Sequence, residues 1–333
     1  MIRAAVLGAG WVSNTRYLPV LHRLKDVEIV SVFDRNRDRS ANAAEAFGIR
    51  HSSDDLESVF ELEPDVLFVC TSPWSHSGLA VEALERGCHV MTEKPMAMNS
   101  TEASIMVDAA RGAKKMLCIS HNFLFSRAVS KADRALQRSG SPLYITGHQL
   151  SSTRRRLPTW HDELPGGLLF DEIPHLLYVA QHYLGALQLE GVRVARRGDV
   201  TVTELQLRGA AGPAHLTVTS GAPVSEWHVT IVATNGVVDL DLFRDIAVHV
   251  PSDGAHRPAD ILKTSARAML GHLGGFAGSG ARLARKRLFW GHDVLIEQFV
   301  KAAAIEGPSP VAIEDAVSIV AVTDDILAAL DAQ

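Results

Sequence analysis

"VLGAGWVS", residues 6–13, is the stretch that decides the fold. It follows an apolar run, Arg3–Leu7, and opens a helical pattern. It reads G-x-G-x-x-S, with Gly8 and Gly10 in place and Ser13 where a third glycine would stand. The glycines permit a tight turn and a close backbone approach to a pyrophosphate, which the following helix N-terminus faces. A second apolar run then ends in "VFDR". Asp34 stands there, about 20 residues past the turn, where an acid holds the adenosine ribose of NAD. Arg35 argues the other way, because an arginine at this place can receive the 2′-phosphate of NADP. The reading is NAD, with NADP left open.

Outward from this turn, the first 120 residues alternate between two textures. Strand-like runs at Arg3–Leu7, Glu28–Phe33, Asp65–Cys70, His89–Thr92 and Met116–Ser120 are separated by helical patterns near 17–24, 39–47, 54–61, 77–86 and 101–111. That alternation predicts a doubly wound parallel sheet covered on both faces. Gly87 and Gly112 read as helix exits. After about residue 140 the texture changes to β-type alternation in "LYITGHQLS", "VTVTELQLRG", "AHLTVTSG", "EWHVTIVATNGVVDLDLF" and "IAVHV". "TNGV" is a hairpin signal. These runs predict a large, mostly antiparallel sheet, interrupted by a helix over 170–183. Helices return over 292–306 and 314–332.

Composition narrows the function class. The chain has 333 residues, 47% hydrophobic and 21% charged, and a net charge of -5. Two domains with ample cores follow. A nucleic-acid binder would show a basic domain, so none is expected. Cys70, Cys88 and Cys118 are few and scattered, which points to a reducing cytoplasm rather than a disulfide framework. No apolar run reaches the ~18 residues of a spanning helix. The 15 histidines are dispersed, and no metal site is expected.

"GGLLFDEIPH", residues 166–175, places Asp171, Glu172 and His175 inside an apolar run. Buried carboxylates are costly to ionise unless they have partners. Asp171 and His175 are four apart and share one face of a helix, so carboxylate and imidazole can act on one small volume. Histidine exchanges protons at neutral pH, as removal of an alcohol proton requires. Lys94 ends a strand at its carboxyl edge, where open α/β sheets bind ligands. It can hydrogen-bond a substrate oxygen and stabilise its partial negative charge. Glu172 lies off the Asp171 face and is assigned to structure. The bland alternative is a helix cap and a satisfied core histidine.

"GAGWVS", "CTSPWSHSGLAVEALERGCHVMTEKPMA" and "PGGLLFDEIPHLL" together resemble the Gfo/Idh/MocA oxidoreductase family over nearly the whole chain. The resemblance implies a Rossmann domain, 1–120, and a substrate and oligomerisation domain, 121–333, with the C-terminal helix a candidate to pack back on the first. It implies NAD(P)-dependent hydride transfer to or from a secondary alcohol or ketone of a sugar, cyclitol or sugar derivative. It places Lys94, Asp171 and His175 around the reacting carbon. It further implies cofactor contacts from Gly8, Gly10, Trp11, Val12, Asp34, Arg35, Thr71, Pro73, His76, Glu93 and Lys94. Asn122 is kept from an Asn-x-Arg pattern, and Arg154, Trp160 and His161 precede the acid in a loop suited to substrate. The family also implies a homo-oligomer, a dimer or tetramer, through the open face of the second sheet. Rival readings are an NAD-dependent glycoside hydrolase, which returns its cofactor unchanged, and a non-catalytic nucleotide-binding scaffold.

From Ile261 to His292 no acid appears, while Lys263, Arg267, Arg282, Arg285, Lys286 and Arg287 are scattered among apolar residues. Membrane-surface contact is not expected, because the glycines of "GHLGGFAGSG" argue against one continuous helix.

Overall fold

Ala4–Leu7 are fully buried within β1 (Ile2–Leu7), as befits a strand at the centre of a parallel sheet. The computed structural model describes residues 1–154, 160–252, 257–285, 287 and 290–332. Among them β2 (Val27–Phe33), β3 (Ser52–Ser53), β4 (Val66–Val69), β5 (His89–Thr92) and β6 (Leu117–Ile119) join β1 in the order β3-β2-β1-β4-β5-β6, all parallel. The order reverses between β1 and β4, and open α/β sheets bind ligands at the carboxyl ends of strands at such a reversal. The connecting helices are α1 (Leu18–Leu21), α2 (Arg37–Phe47), α3 (Glu57–Phe60), α4 (His76–Glu85) and α5 (Ser100–Ala113).

The second set of elements is α6 (Arg127–Ser139), β7 (Pro142–Ser152), α7 (Leu168–Leu184), β8 (Gln188–Arg197), β9 (Val200–Gly209), β10 (Gly212–Ala222), β11 (Glu226–Ala233), β12 (Gly236–Asp241), β13 (Ile246–Pro251) and α8 (Pro258–Ala284). Its seven strands run β13-β12-β11-β7-β10-β9-β8, antiparallel except for the parallel pair β7 and β10. β11 and β12 turn over Thr234-Asn235, as "TNGV" predicts. The last helices are α9 (His292–Ala304) and α10 (Ile313–Asp331). The chain divides into two compact units: Met1–Asn122 with His292–Ala321, and Phe123–Gly291 with the residues from Val322 onward. Ala316 and Val320 of α10 join the core of the first unit.

The differences from expectation are local. Gly112 lies inside α5, which ends at Lys114 in the left-handed region. The helical pattern over 54–61 shrinks to the single turn α3, because the Ser53 and Asp55 side chains accept from the Asp55 and Glu57 amides and hold the chain before it in a turn. β8 was not foreseen; it is an edge strand, largely exposed, so its burial alternation is weak. The largest difference is α8. Glycines do not break it, because close packing on β13 offsets their poor helix propensity. Lys286 lies outside the described residues.

Candidate functional site

The nucleotide turn is built by two glycines with different duties. Gly8 has φ +95°, and a Cβ there would stand 2.7 Å from the Cys70 carbonyl oxygen. Its amide donates to the Phe33 carbonyl at 2.7 Å, so the turn is tied to β2 and pressed on the residue after β4. Gly10 has an ordinary φ, and nothing lies within 4 Å of where its Cβ would be. Gly10 therefore leaves open space on its face, the cradle a pyrophosphate needs. Ser13 is fully buried, and its hydroxyl donates to the Gly8 carbonyl, so the replacement of the third glycine fastens the turn. Asp34 Oδ2 accepts from the Ala9 amide and Oδ1 from the Asn36 amide, each at 2.9 Å. The acid braces the turn from the end of β2. Asn36 caps α2, its side chain accepting from the Asp38 and Arg39 amides. Arg35 is exposed. Trp11 is 56% exposed, with the Arg16 guanidinium 4.8 Å from its ring centroid. Val12 and Thr71 are half-buried, and Pro73 is buried. Thr71 Cγ2 lies 3.1 Å from the Cβ position of Gly8, so the structure gathers Gly8, Asp34 and Thr71 around one turn. These residues fit a dinucleotide.

At the edge of β5, Lys94 is half-buried, whereas Glu93 and His76 face inward. The ring of His76 is fully buried, with Nδ1 2.8 Å from the Pro95 carbonyl oxygen and Nε2 3.2 Å from that of Thr71. It braces the segment that carries Lys94 against the segment that carries Thr71. Glu93 accepts from the Tyr17 hydroxyl at 2.6 Å and lies 3.5 Å from Nε2 of His292 on α9. Burial alone would raise the Glu93 carboxyl. The hydrogen bonds from His292 and Tyr17, with the Lys94 charge, outweigh burial and hold it at about 2. Glu93 is thus an anion packed inside the first unit. Its partners Tyr17 and His292 lie far from it in sequence, and no local spacing pointed to them. Asn122 is buried just past β6.

His121 neighbours this anion, yet burial depresses it to about 3 despite the pull of Glu93. An unfolded chain protonates histidine near 6.5. Between those values the unfolded state binds more protons, so stability falls as pH falls below about 6.5. The loss from His121 approaches ~1.4 kcal/mol per pH unit in that window. His76 and His89 are depressed in the same direction by burial. We expect the unfolding temperature to drop between pH 7 and pH 5, with a shallower drop in His121→Gln. Equal slopes for the two proteins in calorimetric scans would remove His121 from this account.

α7 carries Asp171 and His175, both nearly buried, in the second unit. Gly166 and Gly167 precede it with φ of +69° and +59°, conformations that strain any side-chain-bearing residue. Pro174 sits inside the helix and removes the amide that would bond the Phe170 carbonyl. Glu172, buried on the same helix, accepts from Ser151 on β7. His175 Nδ1 is 2.9 Å from the Tyr178 hydroxyl, which also accepts from the Phe123 amide at 3.3 Å. The imidazole stacks on Trp227, with centroids 5.2 Å apart, and meets the edge of Phe123 at 5.1 Å. Sequence reasoning missed Tyr178 and Trp227. The H-x-x-Y spacing, one helical turn, was the available signal for Tyr178. Arg154 is exposed just past β7, and Trp160 and His161 flank the short turn before α7, with His161 Nδ1 2.9 Å from Asp162 Oδ1. The rest of that loop, Arg155–Thr159, lies outside the described residues. Three groups of metal-ligand type, Glu226, His228 and Asp241, also converge, but Arg244 already bonds both Glu226 oxygens at 2.6 Å and Asp241 at 2.8 Å.

Comparison with known proteins adds to this geometry. Residues 2–121 match a family described as "Oxidoreductase family, NAD-binding Rossmann fold". The chain is 31% identical over 191 residues to D-glucoside 3-dehydrogenase of Escherichia coli strain K12, an alignment that covers 55% of the chain and 54% of that protein. It is 25% identical over 195 residues to an NADP(+) scyllo-inositol 2-dehydrogenase of Bacillus subtilis strain 168, covering 56% of the chain and 59% of that protein. The chain therefore spans little more than half the length of these curated relatives. A dehydrogenase of Chromobacterium violaceum has the same fold, with a TM-score of 0.79 at 20% identity, covering 98% of the chain and 94% of that structure.

Proposed function

From the match of residues 2–121 to the Gfo/Idh/MocA family model and the geometry of the turn, we propose that the chain is a member of that family and an NAD(P)-dependent dehydrogenase. Its substrate in this reading is a secondary alcohol, or the matching ketone, of a sugar, cyclitol or sugar derivative. The observation that carries the proposal is the turn itself. Gly10 opens onto space, and Asp34 is fixed at the end of β2 by two backbone amides. The dehydrogenase names of the relatives support the reaction class.

When bound, the nicotinamide supplies the hydride acceptor or donor. The residues of the chain supply the rest. Lys94 donates a hydrogen bond to the substrate oxygen and stabilises the charge that develops there. His175 takes or returns the hydroxyl proton at Nε2, because Nδ1 is engaged by Tyr178. A hydroxyl can accept from Nδ1–H or donate to bare Nδ1, so Tyr178 holds the ring in either protonation state. Asp171, one turn before His175 on α7, is the orienting carboxylate. Stacking on Trp227 fixes the ring plane. Asp34 selects NAD by hydrogen-bonding the adenosine ribose.

Fluorescence titration of nucleotide-stripped protein with NADH and NADPH tests the reading. Saturable binding of both, tighter for NADH, is expected. A panel of sugars and cyclitols then identifies the substrate by net cofactor turnover. A folded protein that binds neither nucleotide sinks the proposal.

A further inference from the structure

α8 is built inside out. Only Gly275 and Ser279 are buried along its 27 residues, while Leu262, Met269, Leu270, Leu273, Phe276 and Leu283 are exposed, Leu262 and Phe276 at 72% each. The small residues face the sheet for a specific reason. Cβ atoms at Gly271 and Gly275 would stand 3.1 Å and 2.5 Å from the Val248 and Ile246 side chains of β13. Ser279 donates to the Asp245 carbonyl at 3.2 Å. This fit fixes the rotation of the helix, so its large apolar side chains must point outward. The stripe from Leu262 to Leu283 runs ~32 Å at 1.5 Å per residue. Exposed apolar patches of such extent mark interaction sites.

The charge beside the stripe selects the occupant. Lys263 and Arg267 lie roughly 100° and 140° around the helix from Leu262, counting 100° per residue, and Arg285 follows the last helical residue. The helix carries one acid, Asp260, and its carboxylate accepts from the Arg257 amide at the N-terminus. A net charge of -5 for the whole chain makes this cationic helix a local reversal of sign. Two copies meeting face to face would bring the same basic edge from both sides, with only Asp260, already engaged at the N-terminus, to answer it. An anionic bilayer answers both features: the stripe sinks among acyl chains, and the Lys and Arg stems reach the headgroups. No helix among the described residues is long and apolar enough to cross a membrane. We infer that α8 docks the protein on an anionic lipid surface. The glycines that argued against this in the sequence are the contacts that orient the helix.

Flotation of the full chain with phosphatidylcholine vesicles, with and without one-third phosphatidylglycerol, tests the inference. The chain should float with the anionic vesicles, with binding weakened by salt. Phe276→Glu should lower binding more than ~10-fold by losing one buried aromatic. Arg267→Gln should lower it ~5-fold by losing one interfacial charge. Both residues are exposed, so the unfolding temperature of each variant should match that of the parent. Absence of flotation by the parent protein overturns the inference. So does a dimer in sedimentation that Phe276→Glu dissociates while vesicles capture nothing, because a second copy would then be the occupant.

Discussion

Alanine at position 175 is expected to lower turnover by ~10²–10⁴, the usual worth of a positioned acid–base group, while leaving NADH affinity unchanged. The nucleotide turn belongs to Gly8, Gly10 and Asp34, and the hydrogen bonds that hold it run to Phe33, Ala9, Ser13 and Asn36 of the first unit. His175 is nearly buried against Trp227 and Phe123, so His175→Gln is the companion that fills the space without restoring the base. Both variants should lose turnover. Tyr178→Phe separates positioning from proton transfer. It keeps the ring and the packing but removes the Nδ1 partner, with an expected loss of ~3–10-fold from one hydrogen bond. The phenol oxygen stabilises the imidazolium when it accepts from Nδ1, so its removal should move the rise of alcohol oxidation with pH to lower pH. A merely structural Tyr178 would lower stability and leave the pH profile in place. Steady-state rates across pH for the four proteins decide the matter. Parental turnover in His175→Ala would remove His175 from the chemistry.

How much of this was legible in the sequence follows from the range of each interaction. The first sheet was readable because its strands are buried on both faces and bounded by turns, so the signal is local in every segment. The second sheet was readable for the opposite reason, one wet face and one dry face, except at β8, where both faces are largely wet. The Gly8 turn, Asp34 and the i, i+4 pair on α7 are short-range patterns and were visible. Tyr17 and His292 around Glu93 were not, because the anion is satisfied by residues brought from two elements distant in sequence. α8 shows the limit most clearly. Helix propensity counts each glycine against the helix. Only the placement of Ile246 and Val248 reveals that Gly271 and Gly275 make the close approach possible.

The two glycines of one motif should fail in different ways. Gly8→Ala puts a Cβ 2.7 Å from a backbone carbonyl oxygen that cannot move aside, at a φ of +95° that alanine avoids. The turn is anchored on both sides, by the Gly8 amide to Phe33 and by the Ser13 hydroxyl to the Gly8 carbonyl, so strain spreads into β1 and β2. Strained backbone costs ~1–3 kcal/mol and overpacking a similar amount. A loss of ~3–5 kcal/mol is therefore expected, enough to leave much of the protein unfolded at marginal stability. Gly10→Ala meets no atom within 4 Å and has no unusual φ, so its unfolding temperature should stay at the parental value. What the new methyl fills is the space a pyrophosphate would approach. Losing one or two charge-assisted bonds to backbone amides costs ~1.5–3 kcal/mol each, so NADH affinity should fall at least ~10-fold. Thermal unfolding and NADH titration of both variants give a crossed pattern: stability lost in one, affinity lost in the other. If Gly10→Ala binds NADH as the parent does, the open space at Gly10 is not where the dinucleotide lies.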